Sequence, residues 1–149
     1  MARIRVTKEF NFEMAHALWN YDGPCRNIHG HSYKLFVTVI GNTIENKDST
    51  KLGMVIDFSD LKSIVKKKVV DYFDHSVVVS SMAGKPEIQN IEQMFDKYFV
   101  VDYQPTCENL VTHMASLIKA DLPDGIRLFS LRLVETATSF AEWFESDNP

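Results

Sequence analysis

The stretch Phe10-Asn11-Phe12-Glu13-Met14-Ala15-His16 alternates apolar and polar residues. Phe10, Phe12, Met14 and His16 share one parity, so in an extended chain their side chains share one face. The pattern predicts a strand over residues 3–17. Residues 31–44 repeat it, with His31, Tyr33, Leu35, Val37 and Val39 on one face. Between them, residues 18–30 carry Asn20, Asp22, Gly23, Pro24, Asn27 and Gly30, a loop composition. The two strands read as a long hairpin with a functional loop at its tip.

Outward from this hairpin the organisation is regular. Met54-Val55-Ile56 is a short extended run after Gly53, and Asp57 or Ser59 can cap the helix that follows. Phe58, Leu61, Ile64, Val65 and Tyr72 recur at helical spacing and predict an amphipathic helix over 59–73. After Asp74-His75 comes the apolar run Val77-Val78-Val79. Gly84 and Pro86 mark a loop, 90–98 reads as a short helix, and Phe99-Val100-Val101 as extended chain. Thr106, directly after Pro105, is a candidate N-cap. Leu110, Val111, Met114, Leu117 and Ile118 give a second amphipathic helix that ends near Pro123 and Gly125. Residues 126–136 and 139–145 read as a closing pair of strands around Thr136-Ala137-Thr138. The order β-β-α-(insert)-α-β-β defines an α+β domain, an antiparallel sheet with two helices on one face. Its long strands carry no proline to blunt the outer edges, and open edges invite pairing with another chain, so an oligomer is expected.

Length and composition set the bounds. The chain has 149 residues, which suits a single domain over 1–149. With a formal net charge of −4, nothing suggests an electrostatic surface for nucleic acid. The run Lys66-Lys67-Lys68 reads as a solvated helix face. Two cysteines make no disulfide framework. Charged residues from Arg3 to Glu13 interrupt any signal-peptide core, and no apolar run approaches the roughly 20 residues of a membrane span. A cytoplasmic protein with reduced thiols is expected, which leaves Cys25 free for chemistry.

The loop and strand ends carry the densest chemistry. In Cys25-Arg-Asn-Ile-His29-Gly-His31 the two histidines are two residues apart, a spacing that puts both rings on one side of an extended segment. His16 on the adjoining strand can supply a third nitrogen. Three neutral imidazoles leave a zinc ion with an open coordination position, whereas adding Cys25 would close the site and make it structural. The spacing alone is compatible with both. Asp74-His75 is a second feature. An aspartate can orient an imidazole and stabilise its protonated form, but neighbours on a strand point apart, and a helix-terminal histidine with a capping role is the simpler alternative. Glu135 follows Leu131, Leu133 and Val134 on a strand expected to be buried, where a glutamate needs a partner. A carboxylate in a pocket can grip a flat, guanidine-like edge of a pterin or guanine through two parallel hydrogen bonds. Glu108 lies in the first turn of the second helix, where acids stabilise the dipole. Cys107 reads as a small buried packing residue.

The motifs FEMAH and CRNIHGHSY, then DH after an amphipathic helix, then PTCEN and VET, occur in that order. Together with GMVIDFSDLK they resemble the 6-pyruvoyl-tetrahydropterin synthase / 6-carboxy-tetrahydropterin synthase family over nearly the whole chain. The resemblance implies the tunnelling fold (T-fold), β-β-α-α-β-β, with three subunits closing a barrel, two barrels stacking into a homohexamer, and sites at subunit interfaces. It implies zinc on His16, His29 and His31, with Cys25 as catalytic thiol and Asp74 and His75 as the second half of the proton-transfer machinery. Glu135 would anchor the pterin, with Thr106 and Glu108 lining the same pocket. The implied substrate is 7,8-dihydroneopterin triphosphate. The position of Cys25, four residues before His29, looks like the 6-carboxy branch, which feeds queuosine and 7-deazaguanine synthesis. The 6-pyruvoyl product is the alternative within the family, and a non-catalytic zinc-binding module with Cys25 as fourth ligand is the alternative outside it. One departure stands out: residues 76–104 form an insert between DH and PTCEN.

Overall fold

The computed structural model describes residues 2–149. The predicted hairpin is present as β1 (Arg3–His16) and β2 (His29–Asn42), paired antiparallel along their whole length from Arg3↔Asn42 to His16↔His29. Parity decides burial as expected. Phe10, Phe12, Met14, Tyr33, Leu35, Val37 and Val39 are all buried. The closing strands, β5 (Arg127–Thr136) and β6 (Ser139–Phe144), extend the antiparallel sheet from β2.

The expected antiparallel sheet is enlarged on its other side. Within the 76–104 segment, β3 (Ser76–Ser80) pairs parallel with β1 at Met14–His16, and β4 (Tyr98–Val101) pairs parallel with β3. The sheet is therefore mixed and six-stranded, in the order β4-β3-β1-β2-β5-β6. Parallel neighbours need a crossover connection, and α3 (Lys85–Met94) supplies it between β3 and β4. This helix starts earlier than the predicted 90–98. Gly84 takes a left-handed φ of 87°, and Pro86 sits in the first turn, where its missing N–H costs nothing.

The first core helix carries an irregularity. The segment α1 (Phe58–Val65) is capped by Asp57, which accepts from the Ser59 amide at 2.8 Å. It widens into a π-helical stretch (Lys66–Val70) before a last α turn, α2 (Asp71–Phe73). A π turn inserts one residue and rotates the following face by about 100°. Phe73, fully buried, therefore takes the core position that an unbroken helix would give Tyr72, and Tyr72 is exposed. Tyr72 instead stacks on Phe99 of β4 at 4.0 Å. The second core helix, α4 (Cys107–Lys119), begins at the predicted cap, with Thr106 Oγ1 accepting from the Asn109 amide. Leu61, Val65 and Val69 from the first helix and Leu110, Met114 and Ile118 from α4 join the inward residues of β1, β2 and β5 in one apolar cluster.

Leu35 belongs to this cluster and has no solvent exposure. Leu35→Ala is expected to cost about 2–5 kcal/mol, read as a lower urea midpoint with an unchanged slope.

Candidate active site

The face that buries Phe12 and Tyr33 ends in three imidazoles. His16 and His29 are directly opposite across the β1–β2 ladder, and His31 is one pleat further along β2 on the same side. One ring nitrogen from each lies within 4.8 Å of the other two. The ring centroids of His16 are 4.6 Å from His29 and 5.3 Å from His31. This mutually close set consists of the three histidines, without Cys25 or Glu135.

Backbone carbonyls set the tautomers. His16 Nδ1 donates to the Pro105 carbonyl at 2.7 Å, and His29 Nδ1 to that of Asn27 at 2.7 Å. Each Nε2 is left with its lone pair, and both Nε2 atoms are buried without a hydrogen-bond partner among the described residues. Glu135 Oε1 stands 3.2 Å from His16 Nε2 and 3.4 Å from His31 Nε2. A lone pair facing a carboxylate oxygen is repulsive unless the ring takes a second proton or a cation is shared between them. Orphaned, buried nitrogens oriented by carbonyls are how metal-ligating histidines are held. The residues present thus fit a divalent transition ion. Burial, opposed by Glu135 and reinforced by the neighbouring rings, lowers the His31 pKa and favours the neutral ring that a metal requires.

Around the triad, Tyr33 Oη donates to Glu135 Oε1 at 3.4 Å. Burial, with the Glu135 charge added, raises the Tyr33 pKa, so the phenol stays protonated. When the His16 ring takes a second proton, its hydrogen bond lowers the Glu135 pKa against the opposing effect of burial, with His31 and Tyr33 adding to it. Glu135 is half-buried where the sequence suggested burial, and the His16 and His31 rings and the Tyr33 hydroxyl are its neighbours. Cys107 is buried, and its Sγ donates to the Leu133 carbonyl. Burial and then Glu135 push its pKa to about 12, as suits a packing residue. Thr106 caps α4, and Glu108 is exposed in the first turn, its carboxylate without a hydrogen bond or ion pair among the described residues.

Asp74 and His75 do touch. His75 Nδ1 lies 3.0 Å from Asp74 Oδ2, because His75 adopts a left-handed φ of 59° that departs from strand geometry. Three contacts hold this turn. The Glu13 amide donates to Asp74 Oδ1 at 2.8 Å, the His75 amide donates to the Glu13 carbonyl at 2.6 Å, and Lys97 Nζ donates to the Asp74 carbonyl at 2.6 Å. Burial opposes ionisation of Asp74, but the Glu13 amide, the His75 ring and Lys97 outweigh it and lower its pKa. His75 is largely exposed. It lines a cavity of about 340 Å³ with Glu13, Ala15, His31 and Ser32. Glu13, Ala15 and Ser32 have the opposite parity to the triad, so this cavity opens on the other face of the sheet. No hydrogen bond or ion pair joins His75 or Cys25 to the triad among the described residues. Cys25 sits partly exposed in a short 3₁₀ turn, Pro24–Arg26.

Sequence reasoning gave no role in the site to Tyr33, Gln104, Pro105 or Lys97, although parity placed Tyr33 on the face of His31. A backbone carbonyl leaves no signal in a sequence, and Pro105 acts only through its carbonyl.

A family profile for 6-pyruvoyl tetrahydropterin synthase matches residues 5–146, and the chain belongs to that family. It is 40% identical over 145 residues to a Haemophilus influenzae protein named 6-carboxy-5,6,7,8-tetrahydropterin synthase, covering 95% of this chain and 99% of that one. A Rickettsia felis protein of the same name is 33% identical, covering 93% and 99%. Among solved structures, an uncharacterized Wolinella succinogenes protein matches with a TM-score of 0.75 at 20% identity, covering 97% of this chain and 99% of that chain. The Caenorhabditis elegans 6-pyruvoyl tetrahydropterin synthase matches at 0.69 and 22% identity, covering 97% and 96%. These structures share the T-fold.

Two outcomes are expected. Metal-free protein titrated with zinc should bind one ion per chain by calorimetry. His29→Ala removes a ligand itself and should weaken binding by more than the roughly 10–100-fold that losing an outer partner costs, while Cys25→Ala leaves the stoichiometry intact. Because the Asp74 pKa is depressed on folding, its stabilisation is present above the unfolded value near pH 4 and lost as pH falls through the folded value. Asp74→Asn should therefore flatten the acid limb of thermal stability against pH and leave the curve near neutrality parallel to wild type.

Proposed function

We propose that this chain is a zinc-dependent lyase. It converts 7,8-dihydroneopterin triphosphate to 6-carboxy-5,6,7,8-tetrahydropterin, acetaldehyde and triphosphate, the chemistry that feeds queuosine and 7-deazaguanine synthesis. The single observation that carries this is the three-histidine cluster, His16 buried and His29 and His31 half-buried, with the Nε2 lone pairs of His16 and His29 unsatisfied among the described residues, on a chain 40% identical to a protein of that name. The four-residue spacing from Cys25 to His29 supports the carboxy branch.

His16, His29 and His31 hold the ion. When bound, zinc acts as a Lewis acid that makes protons beside a coordinated oxygen more acidic. The chain's own side chains do the rest. Glu135, kept ionised by its neighbours, accepts the two N–H donors of the pterin's 2-amino/N3 edge. Tyr33 steadies that carboxylate through its hydroxyl. Thr106 and Glu108 line the same pocket. Cys25 Sγ, as thiolate, removes a proton from the substrate side chain. Asp74 holds His75 Nδ1, which leaves Nε2 free to deliver or take the second proton.

The opposite-face placement of His75 favours a site built between subunits. Among the described residues, β1 pairs with β3 only at Met14–His16, so its length from Arg3 to Glu13 is an open edge, and β6 is open at the other end of the sheet. Pairing of these edges would close a barrel and bring one subunit's Asp74–His75 to its neighbour's Cys25 and metal. We infer a homohexamer of two such trimeric barrels, working in the cytoplasm on a small pterin triphosphate.

Zinc-loaded protein incubated with 7,8-dihydroneopterin triphosphate should release acetaldehyde and give the 6-carboxy product by mass spectrometry. A 6-pyruvoyl product without acetaldehyde would move it to the other branch, and no turnover would overturn the enzymatic reading. Cys25→Ala and His75→Ala should each be inactive, and subunits of the two, unfolded and reassembled together, should regain activity. No regain would place both groups in one subunit's site.

A further inference from the structure

We propose that Gln104 is a positioning residue that clamps the loop carrying Cys25 against the metal site. The proposal rests on the reading of Cys25 as the thiol that takes the substrate proton. The loop between β1 and β2 is tied mostly to itself. The Leu18 amide donates to the Cys25 carbonyl at 3.0 Å, Arg26 to Gly23, and Asn27 to Pro24. Outside the hairpin, and among the described residues, only Gln104 hydrogen-bonds to it. Gln104 Oε1 accepts from the Trp19 amide at 2.9 Å, and Nε2 donates to the Trp19 carbonyl at 2.7 Å. The side-chain amide thus imitates a strand partner for the two backbone groups of one residue. That residue adjoins Leu18, whose own amide holds Cys25.

The other end of the clamp is anchored. The Gln104 carbonyl accepts from the Thr106 amide at 2.7 Å and from Asn109 Nδ2 at 2.9 Å, so it is fixed to the start of α4. The next residue, Pro105, is buried, and its carbonyl orients His16. One dipeptide therefore sets both the tautomer of a metal-ligand candidate and the place of the thiol loop. The Gln104 amide orientation is dictated by Trp19, which offers one N–H and one C=O. Neither glutamate nor an apolar isostere can make both bonds. A small misplacement of a reacting group is costly in rate while leaving remote binding contacts intact. Gln104 should consequently act on kcat through Cys25 and leave pterin affinity alone.

The test compares zinc-loaded wild type, Gln104→Met and Gln104→Glu, each as the full chain. Zinc content, kcat, KM and the rate of Cys25 alkylation by iodoacetamide, mapped to the residue by mass spectrometry, are read in parallel. In Gln104→Met, kcat should fall about tenfold or more while KM stays within about twofold. Zinc content should be unchanged, and Cys25 should alkylate about threefold faster or more as its loop opens. Gln104→Glu keeps the acceptor for the Trp19 amide and loses the donor, so it should fall between. Wild-type alkylation and turnover in Gln104→Met would overturn the clamp, as would a lower melting temperature with kcat intact. Should Gln104→Met not fold, the Glu variant decides by the same readouts. Absence of turnover in wild type would sink the proposed function, yet the alkylation rates would still report on the clamp.

Discussion

The hydrogen bond from His16 Nδ1 to the Pro105 carbonyl is the contact on which the rest of the site depends. It joins the last residue of β1 to the residue before the cap of α4, across 89 positions of sequence. It leaves the His16 Nε2 lone pair facing inward at a ring that is 2% exposed. Without it the ring could donate from Nε2 to Glu135, and the triad would be a hydrogen-bonded histidine–glutamate cluster instead of a metal-ready one. A carbonyl is well suited to this, since it can only accept and so admits one tautomer.

The sheet supplies the second constraint. One face serves two purposes along its length: apolar from Phe10 to Met14 and from Tyr33 to Val39, then ionisable where β1 and β2 reach the loop. Tyr33 stands at the junction, stacked on Phe12 at 5.3 Å and bonded to Glu135. The core thereby backs the site, and desolvation lowers the His31 pKa, which favours the neutral ring. The opposite face is built differently. There His75 is held out in a strained turn by Glu13, Asp74 and Lys97, exposed where a neighbouring surface could meet it.

Much of this was legible in the sequence. Period-two alternation named the inward residues of the hairpin, and the Thr106 cap and the apolar stripe of α4 were visible as residue types at fixed offsets. Other features were not. The π turn after Val65 has no compositional signature in Lys66-Lys67-Lys68, yet it exchanges Tyr72 for Phe73 at the core. The 76–104 segment read as an interruption because its strands are short and pair with β1 and with each other, distant partners that local patterning does not identify. The Asp74–His75 contact defied the strand rule because His75 takes a left-handed φ that only its tertiary partners hold in place.

By itself, the sequence determined the α+β class, the strands and their inward faces, and the candidate ligands His16, His29 and His31, because periodicity and spacing are local properties of the chain. Only the tertiary structure decided which nitrogen of each ring faces inward, that Glu135 leans on two of the three rings, and that Gln104 grips the thiol loop. Those outcomes depend on carbonyls and amides brought together from far along the chain. A backbone group is the same in every residue, so its role becomes visible only when the fold gives it a partner.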